Sequence, residues 1–66
     1  MTKDINDIYG VTIEPAKSVG KNAFTAKAVV FRRADSEDVH ELVGKGGTGP
    51  AALADAERQA RGWAGD

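Results

Sequence analysis

Residues that commonly carry catalysis or bind metal ions are scarce in this chain. It contains one histidine, His40, and no cysteine, so His40 has neither a second histidine nor a thiolate with which to hold a metal ion. Asp35, Glu37 and Asp38 lie close together, but their spacing does not match an EF-hand and is typical of the solvated charges of a turn. Because catalysis needs a nucleophile or an acid–base pair held in a pocket, we predict that the protein is not an enzyme, with no catalytic residue, no metal site and no cofactor.

Residues 44–49 form a glycine-rich segment that contains Lys45 and leads into a helix. Backbone N–H groups at a helix N-terminus attract anions and a lysine adds positive charge, so the segment is a candidate for phosphate binding. The Walker pattern is absent, since no Gly-Lys-Ser/Thr follows four residues after a first glycine. We therefore favour a flexible connection between a strand and a helix, and we keep Lys45 as a candidate anion contact.

The net charge of −1 is distributed unevenly along the chain. Residues 1–33 carry six Lys or Arg and three Asp or Glu, whereas residues 34–66 carry three and seven. Residues 15–33 contain five basic residues and no acidic one, and basic surfaces of this kind bind the phosphate backbone of nucleic acids. Lys21, Lys27 and Arg33 are the candidate contacts, although the acidic turn that follows places carboxylates beside Arg33.

One amphipathic helix is predicted directly after the glycine-rich segment. Pro50 suits the first helical position, and Thr48 is a better N-cap than Gly49 because its side chain can accept a hydrogen bond. At 100° per residue, one arc of the helix collects Ala52, Leu53, Ala56, Ala60, Trp63 and Ala64. The alanines let the helix lie close to a sheet, and we expect Trp63 to anchor it in the core.

Three strands are predicted ahead of the helix, over residues 8–15, 23–33 and 39–45. The intervening residues 17–22 and 34–38 have loop and turn character. Residues 1–7 are polar and are expected to fray. The predicted fold is a single small α+β domain over residues 1–66, a three-stranded antiparallel meander packed on one C-terminal helix in the order β-β-β-α.

A register for the sheet follows from the predicted loop lengths. It pairs Ile13 with Phe24, Val11 with Ala26, Tyr9 with Ala28, Val30 with Leu42 and Ala28 with Gly44. These residues share one face, which the alanines of the helix should cover. His40 falls beside Arg32 at the rim of that face.

A single helix should leave the opposite face of the sheet uncovered. Val29, Phe31 and Val43 fall on this face as a small apolar patch beside Lys27 and Arg33. An exposed apolar patch with a polar rim often marks a contact surface. Two interpretations stay open: a partly exposed sheet face, or a homodimer in which two sheets meet face to face or edge to edge. We favour the homodimer, because a chain of 66 residues has only a small core of its own.

The predicted order of elements resembles the HicB-like antitoxin fold. The resemblance is carried by the first strand Tyr9-Gly10-Val11-Thr12-Ile13-Glu14-Pro15, the turn Gly47-Thr48, and the spaced residues Ala52, Ala56, Ala60 and Trp63. It covers most of the chain and concerns its architecture, so it implies a fold rather than a function.

A second resemblance, over the C-terminal third of the chain, is to the last part of double-stranded RNA-binding domains. It is carried by the run Gly44-Lys45-Gly46-Gly47-Thr48 and the alanine-rich helix after it. That family has lysines at the start of this helix, where this chain has Pro50, Ala51 and Ala52. The resemblance implies binding to nucleic acid.

We therefore predict a small non-enzymatic binding or protein-interaction module, whose partner is a second copy or another protein. The alternative is a nucleic-acid-binding module that uses the basic segment 17–33. The candidate interface residues are Val29, Phe31 and Val43, and the candidate anion or nucleic-acid contacts are Lys21, Lys27, Arg33 and Lys45. No apolar run is long enough to span a membrane and the first residues lack the apolar segment of a signal peptide, so we expect no membrane contact and a cytoplasmic location.

Overall fold

A computed structural model describes residues 1–65 as an antiparallel sheet with one C-terminal helix. The elements are β1 (Thr2–Asp4), β2 (Tyr9–Ile13), β3 (Lys17–Gly20), β4 (Ala23–Arg32), β5 (Glu37–Gly46) and α1 (Gly49–Ala64). The predicted α+β class and the C-terminal helix are confirmed. The prediction of three strands is wrong, because the sheet has five.

Strand β4 is the centre of the sheet. β5 pairs with it along one side over nearly its whole length, and β2 and β3 pair with it one after the other along the opposite side. β1 lies beyond β2 at the edge. The division between β2 and β3 coincides with Pro15, which has no N–H to donate to β4; the neighbouring Glu14 still donates its N–H to the carbonyl of Lys27 at 2.9 Å.

Residues 17–22 are not the hairpin loop that the sequence predicted. Lys17–Gly20 form β3 with an irregularity between Ser18 and Gly20, and only Lys21 and Asn22 turn the chain. Asn22 has a φ of 53°, a left-handed conformation that asparagine tolerates better than most residues. The small and polar residues of β3 reflect exposure at a sheet edge rather than a loop.

The first residues of the chain form an edge strand instead of fraying. β1 pairs with β2, and the N-terminal ammonium of Met1 donates to the carbonyl of Ile13 at 2.8 Å. Lys3 points towards the helix, where its Nζ lies 2.5 Å from a carboxylate oxygen of Glu57. Ile5 is buried, with 8% of its surface exposed. The prediction failed because Thr2, Lys3 and Asp4 are all polar and show no alternation that would mark a strand.

The predicted register is wrong, although its assignment of residues to faces is right. Ile13 pairs with Ala28, Val11 with Val30, Tyr9 with Arg32, Ala28 with Leu42 and Val30 with His40. The first hairpin is displaced by four residues, because β3 occupies the part of β4 that had been assigned to β2. The second is displaced by two, because β5 begins at Glu37 and the turn is shorter than predicted. Even displacements preserve the face on which every side chain lies.

The core lies between one face of the sheet and the helix. It consists of Ile5, Val11, Ile13, Ala26, Ala28, Val30, Ala52, Ala56 and Ala60. Gly44 lies directly against the helix backbone at Ala52 and Ala56, where a Cβ atom would overlap main-chain atoms. The expected fit of the helix alanines against small residues of the sheet is therefore confirmed.

The helix begins and ends with clear capping signals. The hydroxyl of Thr48 accepts the N–H of Ala51 at 3.2 Å, which confirms Thr48 as the N-cap. Gly65 follows the last turn with a φ of 83°, and its N–H reaches carbonyls of that turn. These caps fix the helix length at Gly49–Ala64.

Trp63 is not the core anchor that the sequence predicted. Its side chain is 41% exposed and lies at the rim, stacked on His40 with ring centroids 4.9 Å apart and planes 6° apart. The ring of Tyr9 meets it edge-on at 5.1 Å. The alanine stripe holds the helix so close to the sheet that an indole does not fit beneath it. His40 is thus stacked on Trp63 and lies opposite Val30, not beside Arg32 as predicted.

Candidate interaction surface

The sheet has a face that the helix does not cover, which we call the outer face. Successive residues of a strand alternate between faces, and the cross-strand pairs assign each side chain. Residues that lie side by side on neighbouring strands form four rows across this face. The first row consists of Asp4, Gly10, Phe31 and Asp38, and the second of Thr2, Thr12, Val29 and Glu41. The third row consists of Lys27 and Val43, and the fourth of Lys17, Thr25 and Lys45. Every row of the outer face therefore carries at least one charged residue, and the two middle rows also carry Val29 and Val43.

The three predicted interface residues all lie on this face. Val43 is 46% exposed, whereas Val29 and Phe31 are half-buried. Val29 lies between Thr12 and Glu41, and Val43 is the neighbour of Lys27 on the next strand. They form a narrow apolar strip rather than a broad patch.

Phe31 has a partner within the chain that the sequence analysis missed. Its ring lies over Gly10 on the adjacent strand, and a Cβ atom at position 10 would overlap it. An aromatic ring above a glycine of the neighbouring strand covers backbone that would otherwise be exposed. The signal was present in the sequence, but only the correct register places Gly10 opposite Phe31. Phe31 thus contributes to the stability of the sheet as well as to the outer face.

Two of the predicted nucleic-acid contacts are engaged by acidic or carbonyl groups. Lys27 Nζ lies 3.1 Å from Glu41 Oε1, and hydrogen bonding to Glu41 followed by its charge raises the pKa of Lys27. Arg33 donates to the carbonyl of Asn6 at 2.8 Å and lies 3.5 Å from Asp4. Local carboxylates thus offset part of the basic charge. Arg33 pairs with Asp4 and not with the acidic turn expected beside it, whose Asp35 and Glu37 pair with Arg32.

The other two predicted contacts, Lys21 and Lys45, form no side-chain ion pair within residues 1–65. Lys45 lies opposite Thr25, whose other neighbour is Lys17, and Lys21 lies in the turn at the same end of β4. Arg33 follows the other end of β4, roughly 20 Å from Lys27 at the usual rise per residue. The fold therefore brings lysines together at one end and separates Arg33 from them.

A shallow depression of about 440 Å³ opens on the outer face where β2 gives way to β3. It is lined by Glu14, Pro15, Ala16, Lys17, Thr25, Lys27 and Val43. This depression was not predictable from the sequence, because it forms where Pro15 interrupts the pairing with β4 and β3 resumes that pairing. Val43 forms part of its wall, so the depression is continuous with the apolar strip.

The outward edge of β5 is partly closed by helix side chains. Asp55 accepts the N–H of Lys45 at 2.9 Å, and Gln59 donates to the carbonyl of Val43 at 3.1 Å and to Asp55 at 2.8 Å. The bond from Lys45, then that from Gln59, lowers the pKa of Asp55. Asp55 also pairs with Arg58, three residues further along the helix. An edge whose hydrogen-bonding groups are occupied resists strand addition, which favours face-to-face over edge-to-edge contact.

The structure offers little support for a site in the glycine-rich segment. Gly44 and Gly46 press against the helix backbone, so their backbone does not form an open cradle. Within residues 1–65, no group of three or more His, Cys, Asp or Glu side chains is placed to hold a metal ion. In the same part of the chain, no helix combines the length and apolar character needed to cross a membrane.

Comparisons with protein-family models, curated protein sequences and solved structures found no match to this chain. The resemblances to HicB-like antitoxins and to double-stranded RNA-binding domains therefore stay predictions.

Proposed function

We propose that this chain is a non-enzymatic protein-interaction module that binds its partner through the outer face. The observation that carries the proposal is Val43, which is 46% exposed in the middle of a strand and continues into the half-buried Val29. Apolar side chains bounded by charged and hydroxyl groups have the composition of a contact surface. The opposite face is occupied by the helix, which leaves this one for a partner.

Site-specific photo-crosslinking in the native cells tests the proposal. A photoreactive amino acid at position 43 should form covalent protein adducts. The same amino acid at position 54, an exposed alanine on the far side of the helix, is the matched control and should form none. Adducts at neither position, or equally at both, would show that the outer face has no preferred protein partner.

Binding to nucleic acid is the alternative function, and the row formed by Lys17, Thr25 and Lys45 favours it. These lysines and Lys27 could follow one phosphate backbone across the end of the sheet. We rank this function second because Lys27 is already paired with Glu41. Its test is the mass of the protein in solution with and without short duplex RNA or DNA. Binding that weakens steeply with salt, with a lower affinity and a shallower salt dependence in Lys45→Ala, would favour this alternative.

A further inference from the structure

The charges on the outer face are sorted along the strands. Lys17 and Lys45 lie at one end and Asp4 and Asp38 at the other, with Val29 and Val43 between them. Arg33 pairs with Asp4 and Glu14 lies beside Lys17, so Lys45 and Asp38 are the charges that remain unpaired at the two ends of β5 within residues 1–65. The Lys27–Glu41 pair lies between the ends. Along β4, this sorting extends from Thr25 to Phe31, roughly 20 Å at the usual strand rise.

We infer from this sorting that the outer face is built to bind a second copy of the same chain, with the strands of the two copies running antiparallel. The inference rests on the proposed function and names its partner. Two sheets can meet face to face about a two-fold axis that runs either along the strands or across them. An axis along the strands would place lysines on lysines. An axis across the strands places the basic end of each copy on the acidic end of the other.

The second arrangement makes a specific contact. Lys45 and Asp38 lie on the same strand, β5, and on the same face. A two-fold axis across the strands superimposes β5 on β5 with reversed direction, so Lys45 of each copy meets Asp38 of the other. The contact occurs twice, as any contact in a two-fold dimer must. The same axis places Val43 of each copy opposite Glu41 of the other, and Val29 opposite Lys27. Val29 of one copy and Val43 of the other are therefore diagonal neighbours between the charged ends.

The size of the face sets the strength of such a dimer. The area of the outer face follows from four strand positions at their usual spacing and about 20 Å of strand length. It is roughly 400 Å² per copy, or roughly 800 Å² in total for two flat faces. This lies below the roughly 1,200–2,000 Å² that stable specific interfaces bury, and within the size of weak, transient ones. We therefore expect a dimer that dissociates on dilution rather than a permanent one.

Sedimentation equilibrium of the whole chain, from about 1 μM to about 1 mM, tests the inference. The wild-type protein should change from monomer to dimer within this range. Lys45→Glu and Asp38→Lys should each weaken dimerisation roughly tenfold, because each replaces two attractive contacts by two repulsive ones. The double variant should return to within about threefold of the wild type, because the charges are complementary again. Val43→Glu should abolish the dimer, with Ala54→Glu as its matched control.

Thermal unfolding of each variant separates lost association from lost folding. A wild-type chain that stays monomeric throughout the concentration range overturns the inference. A dimer that ignores both charge reversals, or a double variant no better than the single ones, overturns it as well. The crosslinking experiment distinguishes failure of the inference from failure of the proposed function. Adducts between position 43 and a different protein would support the proposed function and contradict the inference. An absence of adducts at position 43 would count against both.

Discussion

The two faces of the sheet are built from different kinds of residue and serve different ends. The face under the helix consists of alanine, valine and isoleucine with almost no exposed surface, and its strands approach the helix as closely as glycine permits. The outer face mixes charged, hydroxyl and apolar side chains, among them the 46% exposed Val43. One face therefore determines the fold, while the other can vary in composition without preventing folding. The separation places stability and proposed function on opposite sides of the same strands.

Gly44→Ala should produce the largest loss of stability. The added methyl group would overlap the helix backbone at Ala52 and Ala56, and two backbones cannot separate without opening the core. We expect the free energy of unfolding to fall by about 3 kcal/mol, measured by urea denaturation. Gly62→Ala is the control: it has no neighbour within contact distance and should stabilise the helix by up to about 1 kcal/mol. Equal losses in the two variants would contradict the close packing described.

A valine-to-alanine substitution on each face of the sheet compares what the two faces contribute to stability. Val30→Ala removes two methyl groups from a fully buried site, whereas Val43→Ala removes them from a half-exposed one. We expect losses of about 2 kcal/mol for Val30→Ala and under about 0.5 kcal/mol for Val43→Ala. Both are measured by urea denaturation at a concentration where the chain is monomeric. Similar losses in both variants would show that the outer face is part of the core.

Phe31 is the exception on the outer face, because its ring covers Gly10. Phe31→Ala should lower the free energy of unfolding of the monomer by about 1 kcal/mol, more than Val43→Ala. Phe31→Tyr keeps the ring and should stay close to the wild type. If Phe31→Ala proved neutral, the ring would have no structural role and would belong to the interface alone. Until this is measured, Val43 is the cleaner position for disrupting association.

The sequence was sufficient to assign residues of β2, β4 and β5 to a face, but it predicted neither β1 and β3 nor the pairing of the strands. Alternation and the alanine spacing reported the faces of Val11, Ala28 and Ala56 correctly, because both periodicities are local properties of the chain. The register depends on where turns begin and end. The two-residue turn at Asn22 and the extension of β5 back to Glu37 leave only weak local signals.

The candidate site was predictable in part for the same reason. Val29, Phe31 and Val43 could be assigned to one face by alternation alone. The depression beside Pro15 and the contact of Phe31 with Gly10 depend on register and were missed. Trp63 was misassigned because a helical arc records direction but not the space available beneath the helix. Long-range contacts such as Lys3 with Glu57 have no local signature at all.

The stability of the β5 edge, where helix side chains reach from the covered face of the sheet, should depend on pH. Asp55 holds the edge of β5 through the N–H of Lys45, and this bond, with that from Gln59, lowers its pKa below the ordinary value of 3.8. A lowered pKa in the folded state means that the carboxylate stabilises the fold above pH 3.8 and that this contribution is lost as the pH falls through the folded-state pKa. The difference in unfolding free energy between the wild type and Asp55→Asn should therefore be largest near neutrality and shrink below this value. A difference between the wild type and Asp55→Asn that stays constant from neutral to acid pH would mean that the helix does not hold this edge through Asp55.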